Sequence, residues 1–208
     1  MASGATCGGS TPPRRTILER SVYMKKIILL LVLLCSFASL AYGAPTTNNY
    51  HNDKYKFSML IPSEFKDTPF EAPFAIHAYT NEKIFLQIKY IDPHDNYSAN
   101  TFGTVPKKEI EDFIKRQRLV SALNTSKFNF INYDTHATKA GFPYVWAMFG
   151  ADTVIKDTTF KTFMLKNYFL NKDIIIELDF IIPEENLKAS TQTIDAIVSS
   201  FTFDVPEK

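Results

Sequence analysis

The sequence predicts an α+β fold, an αβα sandwich in which two helices pack on an antiparallel sheet of six to seven strands. Segments with alternating apolar and polar residues follow one another along most of the chain, and two segments have helical periodicity. Short turn-forming stretches separate neighbouring strands, as is typical of hairpins. The resulting order, β-β-β-α-β-β-β-β-α, differs from the repeated βαβ units of a parallel nucleotide-binding fold.

The first three strands are bounded by turn residues. In the first strand, aromatic and aliphatic residues alternate with Lys56 and Ser58, and the strand stops at Pro62. The next two apolar runs lie on either side of Asn81, where a turn would join them as a hairpin. The predicted strands cover residues 55–61, 74–79 and 83–91.

Each predicted helix begins at a proline. Pro106 lacks an N–H group that the first turn would leave unpaired, and Glu109 lies near the positive end of the helix dipole. We expect this helix to end near Leu123 and to bury Ile110, Phe113, Ile114 and Val120. The second helix follows Pro183 by the same reasoning. Its apolar side comprises Leu187, Ile194, Ile197, Val198 and Phe201.

Four strands are predicted between the helices, over residues 127–137, 144–151, 158–170 and 173–182, and a short edge strand over 202–205. In the fourth of them, Glu177 and Asp179 share one face. We interpret that face as partly solvated, with the two carboxylates paired to Lys161 or Lys166 across the hairpin.

The first 53 residues differ from the rest of the chain. Residues 24–43 have a basic start, an apolar run and a small-residue end, which predicts a signal peptide cleaved between Gly43 and Ala44. We interpret residues 1–23 as a mis-assigned N-terminal extension and residues 44–53 as a flexible leader. Residues 54–205 then form a single domain, and the mature protein is expected to be periplasmic or secreted, without a stable membrane span.

Charge and cysteine content exclude several function classes. The 23 basic and 22 acidic residues nearly balance, which disfavours nucleic acid as a partner. Both cysteines, Cys7 and Cys35, precede the predicted cleavage point, so the mature domain would have neither a disulfide nor thiol chemistry. The isolated glycines of this domain cannot form a phosphate-binding loop, and no G-x-S-x-G motif is present.

A weak metal-binding motif lies in a polar loop. Asp92, His94 and Asp95 place two carboxylates and an imidazole close together, the ligand types that divalent ions prefer. The spacing matches neither an H-E-x-x-H motif nor an EF-hand, and a turn explains the same residues better. We therefore expect no cofactor, and a divalent ion at this loop is the alternative.

Aromatic residues are concentrated in the strands that follow the first helix. Both alternating phases of these strands carry aromatic side chains, so both faces of the sheet are predicted to be apolar. Two helices could leave part of one face open as a groove. The candidate ligand or partner surface comprises Tyr144, Trp146 and Tyr168.

Three segments carry a resemblance to a known family. They are the opening strand Tyr55-Lys-Phe-Ser-Met-Leu-Ile-Pro62, the antiparallel strands within residues 142–182, and the closing segment Ile197-Val-Ser-Ser-Phe-Thr-Phe203. Together they resemble the PsbP-like and DcrB-like family of small exported α+β proteins. The resemblance implies a non-enzymatic binding or assembly factor, and it supplies no catalytic motif.

The sequence therefore predicts an exported, non-enzymatic binding or assembly protein of the bacterial cell envelope that acts through a sheet face or groove. Its partner would be an envelope protein or a small hydrophobic ligand. Two alternatives remain open. One is a metal-assisted hydrolase that uses the loop from Asp92 to Asp95, and the other is a purely structural subunit of an envelope complex.

Overall fold

The computed structural model describes residues 46–70, 74–92, 100–123, 126–155 and 158–204. These residues form ten strands and two α-helices. The elements before the first helix are β1 (Thr47–Asn52), β2 (Phe57–Pro62), β3 (Lys66–Asp67), β4 (Ala75–Thr80) and β5 (Phe85–Ile91). The others are α1 (Lys107–Leu123), β6 (Ser126–Ala137), β7 (Pro143–Ile155), β8 (Thr158–Asn171), β9 (Ile174–Pro183), α2 (Leu187–Ser200) and β10 (Thr202–Phe203), with a 3-10 turn, Glu184–Asn186, before α2.

The large sheet has seven strands in the order β3-β4-β5-β9-β8-β7-β6, and every neighbouring pair is antiparallel. Hairpins connect β6 to β9 in sequence. The pairing of β5 with β9 joins the two halves across α1, with Leu86 opposite Phe180 and Ile88 opposite Leu178. The predicted fold class, an antiparallel sheet of six to seven strands with two helices, is confirmed.

One face of the large sheet packs against α2 and a smaller sheet, and this layer contains the larger apolar core. Alternate residues of β9, such as Leu178 and Phe180, are fully buried there. Phe201, directly after α2, stacks on Phe169 of β8 with 3.8 Å between ring centroids and on Phe57 of β2 with 5.3 Å. Stacked rings therefore connect the large sheet, the C-terminal end of α2 and the small sheet.

The opposite face of the large sheet packs against α1. Phe113 of α1 meets the edge of the Tyr168 ring at 4.8 Å, and Ile110 and Ile114 are buried beside it. The first half of α1 makes this contact. Val120, which the helical period assigns to the buried side, is instead 54% exposed in the second half of the helix.

A second sheet forms from the chain termini of the described region, in the order β1-β2-β10. The prediction of a flexible leader over residues 44–53 is wrong for Thr47–Asn52, which pairs with β2 along its whole length. The segment is polar because β1 is an edge strand whose outer side is exposed, so it lacks the usual hydrophobic alternation. Residues 1–45 lie outside the described residues. The predicted N-terminal extension and signal peptide therefore stay predictions from the sequence.

Candidate functional site

An apolar patch lies on the outer strands of the large sheet, on the face that carries α2. We define the outer patch as Ile131, Trp146, Met148, Phe163 and Leu165. Met148 lies opposite Leu165 in the register of β7 and β8. Trp146, Met148, Phe163 and Leu165 are half-buried, and Ile131 is 44% exposed. Since α2 packs mainly on β2 and β9, it leaves this part of the face open to solvent.

Gly150 produces a shallow depression within the outer patch. It lies opposite Phe163, and a Cβ atom placed on it would be 3.8 Å from Ile131 Cδ1 and 4.0 Å from Phe163 Cε1. Those are ordinary van der Waals distances, so the absent side chain leaves room for an atom of a bound molecule. A glycine within a strand often marks such a close approach.

A polar atom without a partner lies beside the outer patch. Asn167 of β8 is opposite Trp146 on one side and Leu178 on the other, and it is 3% exposed. Its Nδ2 atom has no hydrogen-bond partner among the described residues, and the same is true of Ser190 Oγ on the buried side of α2. A buried amide N–H group without a partner is unusual, because it loses its hydrogen bonds to water without compensation.

The three aromatic residues that the sequence singled out do not form one surface. Tyr144 is buried in the core under α2 and stacks on Phe169 at 5.1 Å. Burial, and then the charge of Asp195, raises the pKa of Tyr144. Trp146 shares this face and is half-buried. Tyr168 is fully buried on the opposite face, under α1, so of the three Trp146 alone lies in the outer patch.

Four charged side chains contact one another on the face of the large sheet that packs against α1. In this ionic cluster, Lys166 Nζ donates to Glu177 Oε1 at 2.6 Å and to Asp179 Oδ2 at 2.8 Å. Lys89 Nζ donates to the same Asp179 oxygen at 3.1 Å. Glu177, Asp179 and Lys166 are only 2–7% exposed, whereas the Lys89 side chain is 21% exposed. Two positive and two negative charges make the cluster neutral.

Mutual attraction sets the ionisation of this cluster. Burial favours the neutral form of Lys166, but the nearby charges of Asp179 and Glu177 outweigh it and raise the lysine pKa well above its usual value. Burial likewise opposes the charged form of Asp179. Lys166 and then Lys89 reverse that effect and lower the Asp179 pKa. Lys166 and Asp179 therefore stay charged at neutral pH, which suits a structural role better than proton transfer.

The interpretation of Glu177 and Asp179 as a partly solvated face is wrong, although their pairing with Lys166 is confirmed. Lys161 is instead 4.0 Å from Glu184. The two carboxylates lie on β9, the central strand of the seven-stranded sheet, and both are buried there. A signal was present in the sequence, because Lys166, Glu177 and Asp179 each interrupt an otherwise apolar strand at positions that a hairpin brings together.

The proposed metal loop is only partly within the described residues. Asp92 follows β5 directly, while His94 and Asp95 belong to residues 93–99, outside the described ranges. Within the described ranges, no group of three or more His, Cys, Asp or Glu side chains is arranged to hold a metal ion. A metal site at this loop therefore remains a prediction from the sequence.

A polar cavity, which we call the edge pocket, lies between β1 of the small sheet and β3 and β4 of the large sheet. Its volume is about 570 Å³. Nine residues line it. They are the polar residues Asn48, Asn49, His51, Lys66 and Asp67, together with Tyr50, Ile61, Phe65 and Tyr79. Sequence reasoning missed it because β1 and β3 were not predicted as strands.

The two tyrosine rings of the edge-pocket lining contact each other and the neighbouring ring of His77. Tyr79 lies 6.0 Å from Tyr50 and 4.5 Å from His77, measured between ring centroids. His77 Nε2 is 2.9 Å from Asp67 Oδ1. Burial, and then the charge of Asp67, raises the pKa of Tyr79 to about 12, so its phenol remains protonated. The Tyr50 hydroxyl accepts a hydrogen bond from Asn52 Nδ2 and keeps its own proton to donate.

Comparison with solved structures supports the fold. The chain is similar to cyanobacterial PsbP (CyanoP) from Synechocystis sp. PCC 6803, with a TM-score of 0.56 and 14% identity over 78% of this chain and 95% of that one. Weaker likenesses include the Ran-binding protein Mog1p of Saccharomyces cerevisiae, with a TM-score of 0.45, 11% identity and coverage of 77% and 96%. LpqN of Mycobacterium tuberculosis, described as involved in cell envelope biogenesis, has a TM-score of 0.46, 9% identity and coverage of 78% and 93%.

The CyanoP likeness confirms the predicted PsbP-like fold. No family model matches the chain, and the comparison with curated proteins found no match. In the parts of the chain that the structure describes, no helix is both long enough and apolar enough to cross a membrane.

Proposed function

We propose that this PsbP-like chain is an exported, non-enzymatic binding protein of the bacterial cell envelope, and that its binding surface is the outer patch. The ligand is a small hydrophobic molecule or the apolar surface of an envelope protein. Recognition involves burial of apolar surface and no covalent chemistry. Of the three residues named from the sequence, Trp146 belongs to this surface, while Tyr144 and Tyr168 contribute to the cores on either side of the sheet.

One observation carries the proposal: five apolar side chains lie side by side on a sheet face that remains partly open. Contiguous apolar surface exposed on a folded domain usually marks a binding site. A sheet face is rigid, so binding to it would cost the protein less conformational entropy than binding to a mobile loop. The half-buried indole of Trp146 lies at one end of this surface, and tryptophan is enriched at binding hot spots.

Two local features support a ligand at the outer patch. The depression at Gly150 can accept a protruding methyl or methylene group. Asn167 places an amide Nδ2 atom, which has no hydrogen-bond partner among the described residues, next to the apolar surface. Small-molecule sites commonly combine apolar walls with a few polar groups that fix the ligand's orientation.

The cellular location rests on residues 24–43, whose pattern is that of a signal peptide. Mass spectrometry of the protein recovered from a bacterial envelope fraction would give its N-terminus directly. We expect Ala44 as the first residue. Recovery of the full chain from the cytoplasm would contradict this part of the proposal.

The sole tryptophan provides a direct assay of binding, because Trp146 is part of the proposed surface. We expect its emission to shift to shorter wavelength and to saturate when oleate or 1-anilinonaphthalene-8-sulfonate is added. A co-purification from envelope extract would test for a protein ligand on the same surface. Absence of saturable change with either compound, together with no envelope protein retained by the surface, would refute the proposal.

Matched variants make this test specific. Gly150→Leu fills the depression, and Met148→Lys places a charge in the apolar surface. Both should weaken binding by about tenfold or more, the equivalent of about 1.4 kcal/mol. Leu119→Lys is the control, because Leu119 is a 63% exposed apolar residue of α1, which packs on the other face. Equal losses in all three variants would indicate a nonspecific effect.

A further inference from the structure

The edge pocket is separate from the outer patch, and its lining has a different chemistry. It opens between two strand edges at the β3 end of the large sheet, whereas the outer patch lies on β6, β7 and β8. A volume of about 570 Å³ lies within the range of small-molecule sites. Planar amides, a carboxylate and an ammonium group surround it, next to the two tyrosine rings.

We propose that the edge pocket is a binding site for a neutral saccharide. The faces of pyranose rings carry C–H groups that pack on aromatic rings, and Tyr50 and Tyr79 are half-buried rings in the pocket lining. Sugar hydroxyls both donate and accept hydrogen bonds. They match a lining in which Asn48 and Asn49 offer both functions and Asp67 offers an acceptor.

The charges of the pocket favour a neutral ligand over an ionic one. Lys66 and Asp67 are adjacent in β3, and both are exposed at the rim. Their charges offset each other, so neither an anion nor a cation finds an excess of opposite charge. His77 holds one Asp67 oxygen at 2.9 Å and thereby orients the carboxylate. A carboxylate oxygen can also accept a hydrogen bond from a hydroxyl group of a ligand.

The ring geometry also favours a sugar over a cationic ligand. An aromatic cage for a quaternary ammonium group needs rings that surround an open space. Tyr50 and Tyr79 instead contact each other edge to face, with an interplanar angle of 88°, and both pack on His77. The buried side chains of Ile61 and Phe65 support these rings from below. Because the two rings are perpendicular, one flat ligand face can stack on only one of them at a time.

Saturation-transfer NMR with the exported protein tests the proposal directly, using maltose, cellobiose and N,N′-diacetylchitobiose as probes. Glucosamine and glucuronate serve as charged comparisons. We expect saturation of ring C–H protons for at least one neutral disaccharide, with weaker transfer to the charged sugars. Calorimetric titration of that disaccharide then gives its affinity. Absence of transfer to all three neutral probes would overturn the proposal.

Variants locate the site and separate it from the outer patch. Tyr79→Ala should reduce the affinity for the disaccharide by about tenfold or more, and Asn49→Ala by several-fold. Asn49 is exposed in an edge strand, so its variant keeps the test valid if loss of Tyr79 impairs folding. Gly150→Leu, in the outer patch, should leave saccharide binding unchanged. Unaltered affinity in Asn49→Ala and in folded Tyr79→Ala, or a loss in Gly150→Leu, would place binding elsewhere and overturn the assignment.

Discussion

Removal of one positive charge from the ionic cluster should destabilise the domain strongly. Lys166→Met keeps much of the side-chain volume but leaves Glu177 and Asp179, which are 4% and 2% exposed, with Lys89 as the nearby cation. A buried charge without its partner keeps its desolvation cost and loses the compensating attraction. Breaking such a pair typically costs about 3–5 kcal/mol. For a domain with about 5–15 kcal/mol of total stability, this is a large loss.

The matched double variant separates charge imbalance from lost packing. Lys166→Met combined with Glu177→Leu removes one charge of each sign and retains the pair of Lys89 and Asp179 at 3.1 Å. We expect it to be more stable than the single variant, because replacing a buried ion pair by apolar side chains is often nearly neutral. Lys161→Met serves as the exposed control on the same strand, since the Lys161 side chain is 72% exposed. Its effect should remain within about 0.5 kcal/mol.

Urea unfolding at neutral pH measures these differences. With a slope of about 2 kcal/mol per M, a loss of 4 kcal/mol lowers the midpoint by about 2 M. The loss in Lys166→Met should diminish as the pH falls. Lys166 lowers the Asp179 pKa, so the wild type loses this part of its stability as Asp179 is protonated, whereas the variant already lacks it. A single variant within 1 kcal/mol of the wild type, or a double variant less stable than the single, would refute this reasoning.

Three further predictions concern the core and the outer patch. Gly150→Ala should raise the stability by about 0.5–1 kcal/mol, seen as a higher melting temperature, because the added methyl fits at 3.8 Å and the unfolded chain loses freedom. Phe169→Ala should cost about 3–5 kcal/mol in denaturant unfolding, since it removes a ring that stacks on both Phe201 and Tyr144, and an unchanged midpoint would contradict the packing described. Burial, and then the charge of Glu177, raises the pKa of Tyr168 well above its usual value, so the stability of the wild type should fall as the pH rises past about 10, where an unfolded tyrosine ionises. The stability of Tyr168→Phe should fall less above that pH, and at pH 7 it should be close to that of the wild type, because the buried hydroxyl has no partner among the described residues. An equal loss of stability at alkaline pH in both proteins would show that other groups, such as Lys166, cause it.

Elements with strong periodicity could be predicted from the sequence. The long strands and both helices repeat apolar residues at the spacing of their own secondary structure, and they fold as expected. β1 and β3 could not be found in this way. Thr47–Asn52 is polar because it is an edge strand, and Lys66–Asp67 is too short to show alternation. What makes them strands is pairing with β2 and β4, which is a property of the tertiary structure.

The sites were predicted less well than the fold for a related reason. The sequence shows that Tyr144, Trp146 and Tyr168 are aromatic residues in strands. That Tyr168 lies on the opposite face of the sheet from the other two follows only when the register between β7 and β8 is known. The edge pocket depends on two strands that carry no sequence signal. The ionic cluster was visible as charges within apolar strands, but its burial follows from neighbours that are distant in sequence, such as Lys89.

The dimensions of the layers explain why open surface remains at both ends of the α2 face. Seven strands at about 4.8 Å spacing give a sheet about 29 Å wide. One helix about 10 Å across and a three-stranded sheet about 10 Å wide cover roughly 20 Å of that width. Uncovered strands are therefore expected at the margins. The outer patch lies at the β6 to β8 margin, and the edge pocket at the β3 and β4 margin. The margins differ in chemistry because β7 and β8 carry apolar side chains on this face at the first margin, whereas the polar edge strands β1 and β3 border the second. One fold can therefore present an apolar surface and a polar pocket without competition between them.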